Sequence, residues 1–291
     1  MRVAVIGRGR WGANIVNTLA TMGDVEVIEE SKDLDLARQQ QPDGVLIATP
    51  AATHADVAIP FIDAGVPTFI EKPMATTVAD AIRIRGAASR SGTPVVVGHV
   101  HLHNPAFQAL KKLLTEVGAA QAVYWEGMNH RPRADTSVLW DWLPHGLSMA
   151  QELLDANPAS AQTWCVGGAS GYKAAIAKFG FNGVPFIANV SWLSTQKRHG
   201  MTIACSDNLI NFDDTAQQKL SLSNSQGISY PTYGEELPLT REIQAFIGVV
   251  RTRRLDPSQL ERNVAIVRAI AAAEESARTA GGLVTIDHCR P

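Results

Sequence analysis

Residues 2–12 read RVAVIGRGRWG, a short apolar strand running into a glycine-rich turn, with a helical stretch over 13–22 behind it. No other segment restricts the fold as much. A Gly-x-Gly-x-x-Gly string alone is a weak signal, but between a strand and a helix each glycine has a task. Gly7 permits the tight turn, Gly9 lets a diphosphate approach the backbone, and Gly12 packs helix against strand. The helix start offers free N–H groups and a partial positive charge to phosphates. A unit of this kind belongs to a parallel sheet with crossover helices and ligands at the carboxyl ends of its strands.

The chain downstream agrees. The spacing predicts a second strand over 25–28 closed by Glu29 and Glu30, where an acid would hold an adenosine ribose. Ser31 and Lys32 follow and would suit a 2′-phosphate instead, so NAD and NADP both stay open at this point. A helix over 33–41 leads to GVLIAT (44–49) as the next buried strand. Only one strand then separates the first strand from GVLIAT. A complete half of this fold needs two, each with a crossover of at least about 10–12 residues. The expectation is a first domain shortened by one strand–helix unit.

Thr53 and Asp56 are placed to form a capping box, with Pro60 kinking the helix or lying near its first turn. TFIEKP (68–73), a helix over 78–89 and PVVVGHVHLH (94–103) continue the alternation. GRGRWG, ATP, EKP and GH therefore all fall at strand ends. Lys72 is delivered to that edge, where a desolvated lysine can move protons.

Composition narrows the class. Over 291 residues, hydrophobic residues make 45% and charged ones 19%, an ordinary globular balance that allows two domains. The net charge of −2 gives no footprint for nucleic acid or an anionic membrane. No signal-peptide run and no bilayer-length apolar run is present. Cys165, Cys205 and Cys289 are far apart and read as reduced thiols of a cytoplasmic protein, with no metal site.

From residue 121 the pattern changes. QAVYWEGMN is a strand, 129–140 a loop and DWLPHGLSMAQELL a helix that Pro144 places near its start. Strands follow at about 160–168, 172–181, 185–194, 198–205, 208–213 and 217–222, with turns such as FNG (181–183) between them. Such short connections imply a largely antiparallel sheet with an open face. Helices over 240–251 and 257–280 and a last strand, GLVTI, complete an α+β domain. The expected division is 1–119 and 120–291.

Asp141 and His145, four apart on that helix, share a face. A histidine ordinarily titrates near neutrality, so His145 can exchange a proton with a hydroxyl, which Asp141 can orient. His99, His101 and His103 alternate along a strand and face one way, with His99 near the pocket. Arg131 and Arg133 lie on the loop, either as holders of a phosphate or carboxylate or as solvated surface arginines. Trp125, Trp140 and Trp142 read as core or pocket wall.

Together, GRGRWG (7–12), ATPAATH (48–54), EKPMA (71–75), GHVHLHNPA (98–106) and DWLPHGLSMAQEL (141–153) resemble the Gfo/Idh/MocA oxidoreductases across nearly the whole chain. The resemblance implies a Rossmann domain, then an α/β domain with an open sheet used for dimer or tetramer contacts. It implies hydride transfer between NAD or NADP, NAD slightly preferred, and a hydroxyl carbon of a sugar, cyclitol or sugar nucleotide. By motif, Lys72, Asp141 and His145 would be catalytic, and Pro73 would be cis. Gly7, Gly9, Arg10, Trp11, Gly12, Glu30, Ala48, Thr49, Pro50, His54, Glu71, Lys72 and His99 would meet the cofactor. Lys72, His99, Arg131, Arg133, Trp140, Asp141 and His145 would meet the substrate. VLWDWLPHGLSM is closest to the subgroup acting on sugar nucleotides. The sequence departs from that subgroup at His101, Leu102 and His103, where Glu, Arg and Phe are common, and at Gly146, where Asp is usual. A non-catalytic homologue that binds a sugar-like ligand, or serves as an assembly subunit with weak cofactor binding, is the alternative. A third possibility keeps the nucleotide but uses it transiently, for elimination or glycoside cleavage.

Overall fold

The computed structural model describes residues 1–30, 37, 39–168 and 171–288, the side chains of residues 29 and 30 excepted. The chain divides into two compact units, Met1–Val100 with Leu237–Val267, and His101–Glu236 with the residues from Arg268 on.

The first unit is built on a five-stranded parallel sheet in the order β2-β1-β3-β4-β5. Its strands are β1 (Arg2–Ile6), β2 (Glu26–Glu30), β3 (Gly44–Ile47), β4 (Thr68–Glu71) and β5 (Val95–Gly98). β3 and β4 are buried at every position, as continuous apolar runs in a parallel sheet require. Helices α1 (Arg10–Ala20), α2 (His54–Asp63), α3 (Val78–Ser91), α6 (Pro238–Thr252) and the N-terminal part of α7 (Ser258–Arg278) accompany it. Among the described residues β2 is an edge strand and no strand lies beyond it. The helix expected over 33–41 falls largely outside the described residues, as do Ser31 and Lys32.

α6 arrives from far along the chain and packs its Ile243, Phe246, Ile247 and Val250 onto Val3, Val5, Leu46 and Phe69. Gly44 makes the approach possible, since a Cβ there would meet Val250 Cγ2 at 2.6 Å. Phe69 and Phe246 meet edge to face with centroids 5.6 Å apart. The capping box does not form. Thr53 Oγ1 donates to Thr49 Oγ1 and to the Pro50 carbonyl, and Asp56 pairs with Arg83 at 2.8 Å. Pro60 lies inside α2.

The second unit carries a nine-stranded sheet, β13-β12-β11-β10-β6-β9-β8-β7-β14, antiparallel except where β6 (Ala122–Met128) runs parallel to β9 (Val184–Ser191). Its other strands are β7 (Ser160–Val166), β8 (Ala174–Phe181), β10 (Arg198–Ala204), β11 (Leu209–Asp213), β12 (Leu220–Asn224), β13 (Gly227–Ser229) and β14 (Val284–Thr285). β8 and β9 are joined by Asn182-Gly183, with φ of 48° and 88°, the two positive values that a type I′ turn demands. Alternate residues of β6 and β8 are buried under helix α5 (Val138–Leu154) or exposed on the other face, and helix α4 (Pro105–Val117) packs on β11 and β12. That face shows Tyr124, Trp164 and Ile176, the last two directly opposite in register. Among the described residues no helix is long and apolar enough to cross a membrane.

α5 begins six residues before Pro144, which is therefore inside the helix and not at its start. The apolar turn Val138-Leu139-Trp140 is buried, and tertiary packing overrides the proline signal. Gly146 is explained by the same packing: a Cβ there would stand 2.6 Å from Trp125 Cδ1 and 3.0 Å from Phe186 Cζ. Gly146→Ala should therefore lower unfolding stability by about 1–3 kcal/mol, read as a drop in the denaturation midpoint with unchanged slope.

Candidate functional site

In the first unit, the loops after β1, β3, β4 and β5 leave the same edge of the sheet, because all four strands are parallel. α1 starts at Gly9, whose φ of −69° and ψ of −178° are extended and whose N-cap position supplies no side-chain hydrogen bond. The first N–H groups of the helix are left for another acceptor. A Cβ at Gly9 would meet nothing within 4 Å. At Gly12 it would collide with the Gly7 carbonyl, and at Gly7, with φ of +108°, it would lie 2.7 Å from the Ala48 carbonyl. Two of the three glycines thus bind protein to protein. The third faces open space in front of the helix N-terminus, the shape a diphosphate needs. Arg10 and Trp11 border that space and are exposed. Glu30 occupies the last position of β2, paired with Ile6.

The β3 loop is tied to the β4 loop by His54. Its ring nitrogens lie 2.9 Å from the Pro73 carbonyl and 3.0 Å from the Thr49 carbonyl, and burial lowers its pKa. A neutral ring donates to one of these carbonyls. The Lys72–Pro73 bond is cis, as the resemblance implied. Glu71 is buried at the end of β4, accepts the Lys72 backbone N–H at 3.2 Å, and has its pKa pushed up to about 7 by burial against the opposing pull of the Lys72 charge. His99 Nε2 lies 2.6 Å from Asn263 Oδ1 on α7.

The three histidines do not alternate along a strand. β5 stops at Gly98, where a Cβ would press on the Phe69 ring, and residues 100–103 wind into a 3₁₀ turn. Asn104 then caps α4, accepting the Ala106 N–H at 3.0 Å, with Pro105 at the first helical turn.

In the second unit, Asp141 is held from two sides. Trp192 Nε1 donates to Oδ2 at 2.9 Å and Arg133 Nη1 to Oδ1 at 3.3 Å. Arg133 also grips Asp135 with two N–H groups at 2.7 and 3.0 Å, so its cation is already shared between two carboxylates. Arg131 is exposed, and its guanidinium has no ion pair among the described residues. Trp140 is buried and donates to Glu274 at 2.9 Å. His145, one turn beyond Asp141, meets the His101 ring edge to face at 4.8 Å between centroids. His199 meets both His101 and Trp142 edge to face, and burial, then the neighbouring His101 charge, push its pKa down to about 3. Trp192, His199 and Glu274 were not legible in the sequence as partners, since each comes from another element. Among the described residues no three His, Cys, Asp or Glu side chains are grouped to hold a metal ion. Cys165 and Cys205 are free thiols, and Cys289 lies outside the described residues.

The model of the Gfo/Idh/MocA oxidoreductase family, NAD-binding Rossmann fold, matches residues 19–99. Over that stretch the chain resembles the Gfo/Idh/MocA family. The inositol 2-dehydrogenase of Paracoccus denitrificans is 32% identical over 133 residues, 44% of this chain and 39% of that protein. The matches to the first three inositol 2-dehydrogenases take in between 39% and 54% of those proteins' length. UDP-N-acetylglucosamine 3-dehydrogenase from Acidithiobacillus ferrooxidans is 31% identical over 122 residues, 41% of this chain and 38% of its own. The same enzyme's structure superposes with a TM-score of 0.85 at 22% identity, covering 96% of this chain and 98% of that one, a likeness of fold. A candidate oxidoreductase from Magnetospirillum magnetotacticum MS-1 is 29% identical with a TM-score of 0.86, covering 94% and 99% of the two chains.

Proposed function

We propose that this protein is a Gfo/Idh/MocA-type, NAD(P)-dependent oxidoreductase acting on a hydroxyl carbon of a sugar, cyclitol or sugar nucleotide. One observation carries the proposal: the Gly9 turn opens in front of an uncapped helix start, on the sheet edge that also delivers Lys72. Gly7, Gly9, Arg10, Trp11, Gly12, Ala48, Thr49 and Pro50 would hold the dinucleotide, with Glu30 at its ribose and Glu71, His54 and His99 shaping the edge beside it. When bound, the nicotinamide takes up or returns the hydride. Lys72 and His145 handle the hydroxyl proton, and Asp141 orients the hydroxyl. Two N–H donors fix Asp141 in place. Trp192→Phe removes one donor and keeps the ring, so turnover should fall about tenfold, equivalent to about 1.4 kcal/mol. Steady-state kinetics would check this, and an unchanged kcat would contradict the assignment.

The named relatives act on an inositol and on a UDP-sugar, which supports both substrate classes. Arg131 is the cation available to a phosphate, whereas Arg133 would have to leave Asp135 and Asp141. We further propose that copies associate through the sheet face bearing Tyr124, Trp164 and Ile176, in the cytoplasm. The test is reduced-nicotinamide absorbance with cyclitols, free sugars and UDP-sugars, using NAD⁺ and NADP⁺ in turn. Turnover of one class supports the reading, and none with any pairing favours the binding-protein alternative. That alternative draws on one observation, the position of β2 as an edge strand among the described residues.

A further inference from the structure

Behind Lys72 the first unit buries two carboxyl groups. Glu71 at the end of β4 is 8% exposed and Glu242 on α6 is 2% exposed. Glu242 occupies the apolar stripe of its helix, one turn before Phe246 and next to Ile243. A His99 backbone N–H donates to its carboxyl group, while Oε1 has no hydrogen-bond partner among the described residues. Glu71 accepts the Lys72 N–H, and its Oε1 faces the bare Cα of Gly98. The charged or titratable groups set around the pair are Lys72 from the β4 loop and His99 from the β5 loop, whose Nε2 is engaged by Asn263. Among the described residues, Lys72 is the cation that acts on Glu71. Two carboxylates with one cation between them in an apolar setting cannot both ionise cheaply.

We infer that Glu71 and Glu242 hold a proton between them, and that Glu242 is a positioning residue acting on Lys72 through Glu71. The pair then presents Lys72 with a single shared negative charge, which anchors the ammonium without quenching it as a proton donor. When the proton is lost, the second buried charge repels the first, and the pull on the Lys72 ammonium grows. Such a pair titrates as a unit, not as two independent residues.

The electrostatics agree in direction. Burial raises Glu71 from 4.5 to about 7, and burial together with the Glu71 charge raises Glu242 well above the ordinary range. Both folded-state values exceed the unfolded ones. The stability they confer is therefore full below the unfolded carboxylate range and is lost as pH climbs through about 7.

The part of the inference that concerns Lys72 rests on the function proposed above, whereas the proton itself can be counted without any activity. Unfolding the wild-type chain at neutral pH, followed by calorimetry in buffers of different ionisation enthalpy, should release about one proton beyond that of Glu242→Gln. The midpoint of Glu242→Gln should likewise fall less than that of the wild type between about pH 5 and pH 8. Glu71→Gln, approached from the other side, should flatten the same slope. In the enzyme assay, Glu242→Gln should move the alkaline limb of kcat up by about one pH unit, with KM little changed. Equal proton release and parallel pH slopes in wild type and both variants would overturn the shared proton. A flattened slope with an unmoved alkaline limb would overturn the link to Lys72 and leave the buried pair standing.

Discussion

Lys72→Met should lower kcat by about 10²–10⁴-fold, the usual loss when a positioned proton-transfer group is removed. Methionine keeps the length of the stem and removes the transferable proton. Dinucleotide affinity should change little, because the turn at Gly9 and the start of α1 are built from other residues. The exchange also removes the one charge that opposes the burial of Glu71, so Glu71 should titrate still higher than about 7. Loss of turnover is thus expected alongside a stability that is retained in acid and reduced at alkaline pH. Steady-state kinetics and thermal midpoints over a pH series check both halves. Near-wild-type kcat would remove Lys72 from the chemistry.

The second large effect separates folding from binding within one motif. Gly12→Ala drives a Cβ into the Gly7 carbonyl, a backbone atom that no rotamer change can move aside. The expected cost is at least about 3 kcal/mol, at the upper end for overpacking, with loss of dinucleotide binding as a consequence. Gly9→Ala meets nothing within 4 Å in the chain itself. It should fold with a midpoint near that of the wild type and still bind dinucleotide at least about tenfold more weakly, about 1.4 kcal/mol, because the added methyl stands where the diphosphate must approach. Equal affinities for Gly9→Ala and wild type would mean that the open space in front of α1 is not the diphosphate site.

Much of this was legible in the sequence, for identifiable reasons. The parallel sheet followed from apolar runs separated by crossover lengths. The β8–β9 hairpin followed from Asn182-Gly183, because few other pairs accept two positive φ values. The elements at fault were those where a local rule met a tertiary contact. Pro144 signalled a helix start, yet the buried turn before it is also helical. His99, His101 and His103 alternate on paper, but Asn104-Pro105 is a helix-start signal that ends the extended chain first. Thr53 and Asp56 have capping-box spacing, yet each has a better partner in Thr49 and Arg83. Glu242 was missed altogether. Its signal was present as an acid on the apolar stripe of an amphipathic helix, but nothing local says that α6 would carry it to β4. The same limit applies to Trp192, whose indole reaches Asp141 across 51 positions of sequence.

The central claim is that this shortened first unit holds a nicotinamide dinucleotide. Titration of the purified chain with NADH and, separately, NADPH, followed by nicotinamide fluorescence and energy transfer from tryptophan, tests it most directly. Saturable binding of one of them, weakened in Gly9→Ala and retained in Lys72→Met, is the predicted result. No saturation with either at millimolar concentration would contradict the account and leave a sugar-binding or assembly protein in its place.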